Sequence, residues 1–241
     1  LGYHVGLLSL TALKGGSVDE LIEHARQVAK IIPIMGFYLQ PSISGMVLPG
    51  EFWRKLVEIP ELVGIKIAPF SRYYTLDVLE AVAHSGRAEE IALYTGNDDS
   101  IIHDLLSSYE FVVEGRAVSL RIIGGLLGHW ACWTRRAVEQ LEWIKDVCED
   151  DEAVPVELLT LAGQVTLANK AIFDPENNFA GCIPGILYVL QRQGLIQGIH
   201  TIDPDERFSD GQTERIDDII RCYPHLTDDE FVRENLGEWL S

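Results

Sequence analysis

The chain has 241 residues, of which 47% are hydrophobic and 23% charged, a balance typical of a globular protein rather than a disordered one. Its formal net charge of −18 argues against nucleic acid and anionic membrane surfaces as partners, because phosphate binding needs a basic patch. No apolar run reaches the ~18 residues of a membrane-spanning helix, and the four cysteines form no CxxC pair, which favours reduced thiols and a cytoplasmic location.

Short apolar runs alternate with amphipathic segments along the first half of the chain. The runs predict strands centred near residues 6–8, 34–36, 64–66, 92–94 and 120–122. Helical spacing predicts helices between them, one opened by a capping box of Ser17 and Glu20, one by Pro49, one capped by Thr75 and one near Ser100. Further helices are predicted over about 130–147, 155–171, 183–195 and 231–240.

Alternating strands and helices predict a parallel sheet with right-handed crossovers, and two architectures fit that pattern. An open doubly wound sheet would favour a nucleotide-binding protein, but residues 11–16 after the first strand lack the GxGxxG spacing. A (β/α)8 TIM barrel gathers its functional residues at the carboxyl ends of several strands. The residues predicted at four successive strand ends are Tyr38; Lys66; Thr95, Gly96 and Asn97; and Gly124 and Gly125.

This distribution favours the barrel. We expect an incomplete barrel of about strands 4 to 8 in residues 1–150, with the first three strands missing before residue 1. Residues 151–241 are expected to form a helical portion of the same domain.

Lys66 is the most informative candidate residue. It lies in the apolar run of residues 62–68, which is typical of a buried strand. A desolvated lysine has a lowered pKa and can attack a carbonyl to form a Schiff base. The alternative is a strand-end lysine whose amine reaches solvent.

Motifs around Lys66 resemble those of the dihydrodipicolinate synthase / N-acetylneuraminate lyase family. Tyr38, Pro41 and Gly45 match its Tyr-x-x-Pro-x-x-x-Gly signature, and the distance from Tyr38 to Lys66 resembles that from the family's tyrosine to its Schiff-base lysine. Residues 94–98 resemble its Ser-Gly-Asp segment, and residues 122–125 fall where its last barrel strand should be. The resemblance covers most of residues 3–195.

The resemblance implies a Schiff-base-forming lyase or aldolase that acts on pyruvate or a related 2-oxo acid, together with an aldehyde. Lys66 would be the nucleophile and Tyr38 the proton shuttle. The substrate-binding residues would be Thr95, Gly96, Asn97, Gly124 and Gly125. No metal or organic cofactor is implied, and the full-length protein is expected to be a homo-oligomer.

The sequence departs from the family pattern at two positions that concern the second substrate and the active site. Ile43 stands where synthase members carry an arginine that grips a carboxylate, so this substrate is expected to differ from aspartate semialdehyde. The position near Leu13 has no phenol to match the tyrosine that synthases contribute to a neighbouring subunit.

Some of these residues also have a purely structural interpretation, and other functional interpretations are open. Tyr38 can be a core aromatic, and Gly124 and Gly125 can reflect close packing. His129 and Arg72 are weaker candidates for an acid–base group and a carboxylate ligand, respectively. A non-catalytic barrel that binds a metabolite or acts as a scaffold also remains open.

Overall fold

The structure, a computed structural model, describes residues 2–149 and 153–241. The elements of the first half alternate as the apolar runs predict. In chain order they are β1 (Gly6–Leu8), α1 (Val18–Ala29), β2 (Ile34–Leu39), α2 (Pro41–Ser44), α3 (Gly50–Leu56), β3 (Leu62–Ala68), α4 (Arg72–His84), β4 (Ala92–Thr95), α5 (Ile101–Leu106), β5 (Ser108–Val113), β6 (Arg116–Arg121) and β7 (Gly124–Gly125). The later helices are α6 (Thr134–Glu149), α7 (Val156–Phe173), α8 (Cys182–Arg192), α9 (Gln212–Cys222) and α10 (Asp229–Trp239).

Five strands form one parallel sheet in the order β1-β2-β3-β4-β7. The order never reverses, whereas a doubly wound sheet reverses at its switch point. Right-handed crossovers that all run in one direction place their helices on one face of the sheet. In agreement, α1 packs on α3 and α3 on α4, and α1 and α4 also contact the sheet. The fold is therefore α/β with a parallel sheet that has helices on one side, as in a barrel wall.

Local sequence signals explain where several helices begin. The Ser17–Glu20 capping box is confirmed: the Ser17 N–H donates to Glu20 Oε2 at 2.8 Å, and the Glu20 N–H donates to Ser17 Oγ at 3.3 Å. Pro49 directly precedes α3, as predicted. The predicted cap of α4 was wrong, because Ser71 caps this helix and Thr75 lies buried inside it.

The predicted fifth strand was placed too early. Residues 120–121 end β6, which pairs with β5 in an antiparallel hairpin. Glu114 and Gly115 connect the two strands with φ of 51° and 78°, which fits a type I′ turn. The parallel strand is β7 itself, so Gly124 and Gly125 lie in the sheet rather than after it.

Arg87 fixes the approach to β3, the strand that carries Lys66. Its guanidinium donates to four backbone carbonyls, those of Val57 and Ile59 at 2.8 Å, Pro60 at 3.1 Å and Leu62 at 3.0 Å. These charge-assisted hydrogen bonds satisfy carbonyls that would otherwise be left without a donor at the edge of the core. The loop before β3 is thereby held in one conformation.

The chain divides into two compact units. The first takes the residues up to Asn97 and Asp104–Leu126; the second takes Asp98–His103 and the described residues of Leu127–Ser241. The predicted boundary between residues 150 and 151 lies outside the described residues.

The second unit is helical and has its own core. The fully buried Gln212 amide ties it together by donating to the carbonyls of Ile172 at 3.0 Å and Gly181 at 2.9 Å. No helix among residues 2–149 and 153–241 is long and apolar enough to cross a membrane.

Candidate active site

Lys66 lies near the carboxyl end of β3, between Phe37 on β2 and Tyr94 on β4. These three residues are register partners across the parallel strands. Register partners on neighbouring strands lie about 4.8 Å apart and point to the same face of the sheet. The Lys66 amine lies 4.4 Å from the centre of the Phe37 ring, within the range of a cation–π contact.

The face that carries Lys66 is the one away from the helices. On the helix side, the space beside Gly36 is filled by Leu56 of α3, which approaches to 3.0 Å of the position that a Cβ would take. On the Lys66 side, Phe37 and Tyr94 are only half-buried, and Leu7 of β1 is 47% exposed. The lysine therefore stands on an aromatic and apolar surface that is partly exposed to solvent.

Two glycines give this face its room. A Cβ at Gly96 would lie 2.7 Å from Ala68 Cβ and 2.8 Å from Lys66 Cε, so only glycine lets the lysine stem pass over β4. A Cβ at Gly124 would lie 3.0 Å from Cε1 of Tyr94. Both glycines, which were predicted to bind substrate, make space for side chains of this face.

The pairing of β2 with β3 contains an irregularity. Ile34 pairs with Leu62, but the next residue, Met35, pairs with Gly64. Val63 is therefore an extra residue on β3, and it is 37% exposed. Such a bulge displaces every later pair by one residue and so changes which side chains share a face.

The bulge decides the position of Tyr38. If the pairing of Ile34 with Leu62 continued without interruption, Tyr38 would stand opposite Lys66. The extra residue instead sets Tyr38 against Ile67 and leaves Phe37 opposite Lys66.

Tyr38 consequently lies on the helix-facing side of the sheet. It is fully buried, with its ring centre 5.1 Å from that of Trp53 on α3 and 5.8 Å from that of Tyr74 on α4. Burial raises the pKa of its hydroxyl well above the usual range. The structure does not bring this phenol together with Lys66.

Thr95 and Asn97 also lie away from Lys66, in a buried polar network around Asp104 of α5. All three residues are fully buried. Asp104 accepts from the Thr95 hydroxyl at 2.6 Å and from the Asn97 amide at 3.0 Å, and it forms an ion pair with Arg72. Arg72, a candidate carboxylate ligand, is thus engaged by Asp104. The network fixes the carboxyl end of β4 on both sides of Gly96.

The remaining candidates take packing positions. Gly125 pairs with Thr95 in the sheet. His129 lies in the second unit, with its ring centre 5.6 Å from that of Trp133. It is 3% exposed, and burial lowers its pKa to about 4, so the imidazole is neutral at pH 7.

A narrow pocket lies among the strand ends on the Lys66 side. It is bordered by Ser9 and Thr11 after β1 and by Phe37 and Leu39 of β2. The Ser9 and Thr11 hydroxyls are 3.1 Å apart and exposed to solvent. These are neutral groups that can donate hydrogen bonds to an anion.

A lysine side chain lies close to the position where synthases carry their arginine. Ile43 is 56% exposed on α2, and the Lys14 side chain covers Gly45 at the end of that helix. Gly45 has φ of 64°, which favours glycine, and its missing Cβ leaves space for the Lys14 amine.

Phe37 and Tyr94 are the site residues that the sequence prediction missed. Period-2 alternation shows that each lies on the face opposite to its strand neighbours, Tyr38 and Thr95. Alternation within one strand does not indicate which set faces Lys66, because that depends on register.

No cluster of three His, Cys, Asp or Glu side chains suited to a metal occurs among residues 2–149 and 153–241.

Comparison with known proteins yields matches in structure alone. No family model and no curated protein sequence matches the chain. The structure is similar to dihydrodipicolinate synthase from Acinetobacter baumannii complexed with pyruvate, with 18% identity, a TM-score of 0.64, and coverage of 91% of this chain and 66% of that one.

Two further similar structures come from a bacterium and an archaeon. A prophage protein of E. coli K12, of the dihydrodipicolinic acid synthase family and in complex with pyruvate, shares 15% identity with a TM-score of 0.64, over 90% of this chain and 65% of that one. A variant of the Sulfolobus solfataricus 2-keto-3-deoxygluconate aldolase shares 14% identity with a TM-score of 0.61, over 88% and 61%.

This chain therefore spans 61 to 66% of the length of the three structures. At 14 to 18% identity, the likeness establishes that the chain has their fold over the matched region and does not by itself establish a reaction.

Proposed function

We propose that the protein is a Schiff-base-forming lyase or aldolase, and that it makes or breaks a carbon–carbon bond in pyruvate or a related 2-oxo acid. Lys66 is the nucleophile. The observation that carries the proposal is the placement of this lysine at the carboxyl end of β3, on the face away from the helices, with its amine 4.4 Å from the Phe37 ring.

The sheet, in this proposal, is part of a (β/α)8 barrel whose other strands lie outside the sequence described. Three observations support it: the strand order does not reverse, α1, α3 and α4 pack on one another along one face, and the similar structures are longer than this chain. The face of Lys66 is then the barrel interior, and its carboxyl end is where barrel enzymes bind substrates.

The chemistry follows from what an amine does beside a ketone. The neutral Lys66 amine adds to the C2 carbonyl, water leaves, and the resulting iminium draws electrons from the neighbouring carbon. The enamine that forms attacks an aldehyde, or the reverse sequence cleaves a bond. Phe37 shields one side of the amine from water, and the glycine at position 96 lets the lysine stem reach this position.

The second substrate of the proposed reaction carries an acidic group that a lysine recognises. Lys14 supplies a cation beside Gly45, two residues after Ile43, and an ammonium binds a carboxylate as a point charge rather than through two parallel hydrogen bonds. We expect Lys14→Ala to raise KM for aldehydes with a carboxylate and to leave KM for neutral aldehydes unchanged. An equal change for both classes would contradict this assignment.

Borohydride trapping tests the main proposal. The protein is incubated with pyruvate and with longer 2-oxo acids, reduced with sodium borohydride, and digested for mass spectrometry. We expect a mass increase on the peptide that carries Lys66, and none in Lys66→Arg. Lys55 is the matched control. The peptide that carries it should show no mass increase, because the Lys55 amine is held by Asp19 at 2.7 Å and Glu51 at 2.8 Å on the helix surface.

The absence of an adduct with every acid, or an adduct that persists in Lys66→Arg, would overturn the proposed function.

We also propose that the protein works in the cytoplasm as a homo-oligomer. The four cysteines form no disulfide among the residues that the structure describes, which suits a reducing compartment. On one side of α7, Val156, Leu159 and Leu167 are 72%, 50% and 43% exposed, an apolar stripe that a second copy can cover. Light scattering that gives the mass of a single chain at micromolar concentration would contradict the oligomer.

A further inference from the structure

Tyr94, rather than Tyr38, is the phenol on the face of Lys66. We infer that Tyr94 is the catalytic residue that exchanges protons with the substrate bound to Lys66. The inference rests on the proposed Schiff-base chemistry and deepens it by assigning the proton transfer to a side chain of β4.

The register of the sheet carries the inference. The bulge at Val63 turns Tyr38 toward the helices, where Trp53 and Tyr74 enclose its ring. Tyr94 is the direct register partner of Lys66 on the neighbouring strand. Within the strands that the structure describes, no other residue on this face of the parallel sheet carries a phenol.

The surroundings of Tyr94 suit a group that meets a substrate. The side chain is half-buried, whereas Tyr38 is wholly enclosed. The Lys66 stem passes beside Gly96, which directly follows β4, and the Tyr94 ring lies over Gly124 of β7, the strand on the other side of β4. Phe37, the other neighbour of Lys66, has no proton to exchange.

The proton transfers balance with a single phenol. The Lys66 amine adds to the ketone, and a proton then moves from nitrogen to the new alkoxide oxygen, which gives a carbinolamine. Tyr94 then donates its proton to that hydroxyl, the C–O bond breaks, and water leaves the iminium. The phenolate next removes a proton from C3, which forms the enamine and restores the phenol. No other reactant is needed.

Two matched variants test the inference. Tyr94→Phe and Tyr38→Phe each remove one hydroxyl from the sheet, one on each face. Exchange of the pyruvate C3 protons for deuterium in D2O, followed by proton NMR, reports formation of the enamine. The exchange rate is divided by the amount of Lys66 adduct trapped with borohydride, so that any loss of folded protein cancels.

We expect Tyr94→Phe to form the adduct but to exchange at least about 10²-fold more slowly per adduct, which is the usual contribution of a general acid–base group. Tyr38→Phe should exchange like the wild type. An unchanged rate per adduct in Tyr94→Phe, or a loss confined to Tyr38→Phe, overturns the inference while the Schiff base stands. Absence of the wild-type adduct overturns the proposed function and this inference with it.

Discussion

Replacing Asp104 should lower the free energy of unfolding more than replacing any exposed acidic residue does. Asp104 is fully buried and accepts hydrogen bonds from Thr95 and Asn97, whose side chains are also fully buried. Asp104→Ala leaves the Thr95 hydroxyl without this acceptor and leaves the Asn97 amide with only Thr75 Oγ1, at 3.3 Å, and each buried N–H or O–H that loses its acceptor costs about 1–3 kcal/mol. It also removes the ion pair with Arg72, but that side chain is 44% exposed and solvent compensates for most of the loss.

The expected loss is therefore about 3–5 kcal/mol for Asp104→Ala and about 1–3 kcal/mol for Asp104→Asn, which keeps one acceptor. Urea unfolding followed by circular dichroism measures both values. Glu110→Ala, at an exposed position of β5, is the control and should change stability by no more than about 0.5 kcal/mol. A loss below about 1 kcal/mol for Asp104→Ala would show that the network does not hold the end of β4.

Two further predictions concern one close approach and one buried titratable group. Gly96→Ala places a Cβ 2.8 Å from Lys66 Cε, so we expect a destabilisation of about 1–3 kcal/mol and loss of borohydride trapping. Gly163→Ala is the control: it lies on a helix with no atom within 4 Å of the new Cβ and should stabilise the protein by up to about 1 kcal/mol. Trapping at the wild-type level in Gly96→Ala would refute the close approach. Burial depresses the pKa of His129 to about 4 from the usual 6.5, so the unfolded state binds the extra proton between these values and stability falls as pH falls through them. Between pH 7 and pH 5, His129 should lower the free energy of unfolding of the wild type by roughly 2 kcal/mol relative to His129→Gln, measured by urea unfolding. An equal pH dependence of the two proteins would contradict a neutral buried imidazole.

Features that depend on nearby residues could be predicted from the sequence. The capping box of Ser17 and Glu20 forms because both partners lie within one helical turn. The strand around Lys66 forms because a short apolar run between two helices has few other ways to bury its side chains. The β5–β6 hairpin was missed, although Glu114 and Gly115 provide the positive φ that its turn needs.

The surroundings of the predicted site residues could not be predicted where they depend on partners far along the chain. Thr95 ends β4 and Asn97 follows it, but both side chains donate to Asp104 in a buried network. No sequence pattern marked Asp104 as the acceptor of their hydrogen bonds.

By itself, the sequence determined that a lysine stands in a buried parallel strand of an α/β protein, because hydrophobic periodicity and helix caps act over a few residues. Only the tertiary structure decided which aromatic residue faces that lysine. The spacing from Tyr38 to Lys66 would make them neighbours in an uninterrupted register, but one extra residue at Val63 exchanges the two faces of β2 relative to β3. Side chains alternate with a period of two, so a shift of one residue reverses every face, and Tyr94 on the next strand takes the position beside Lys66.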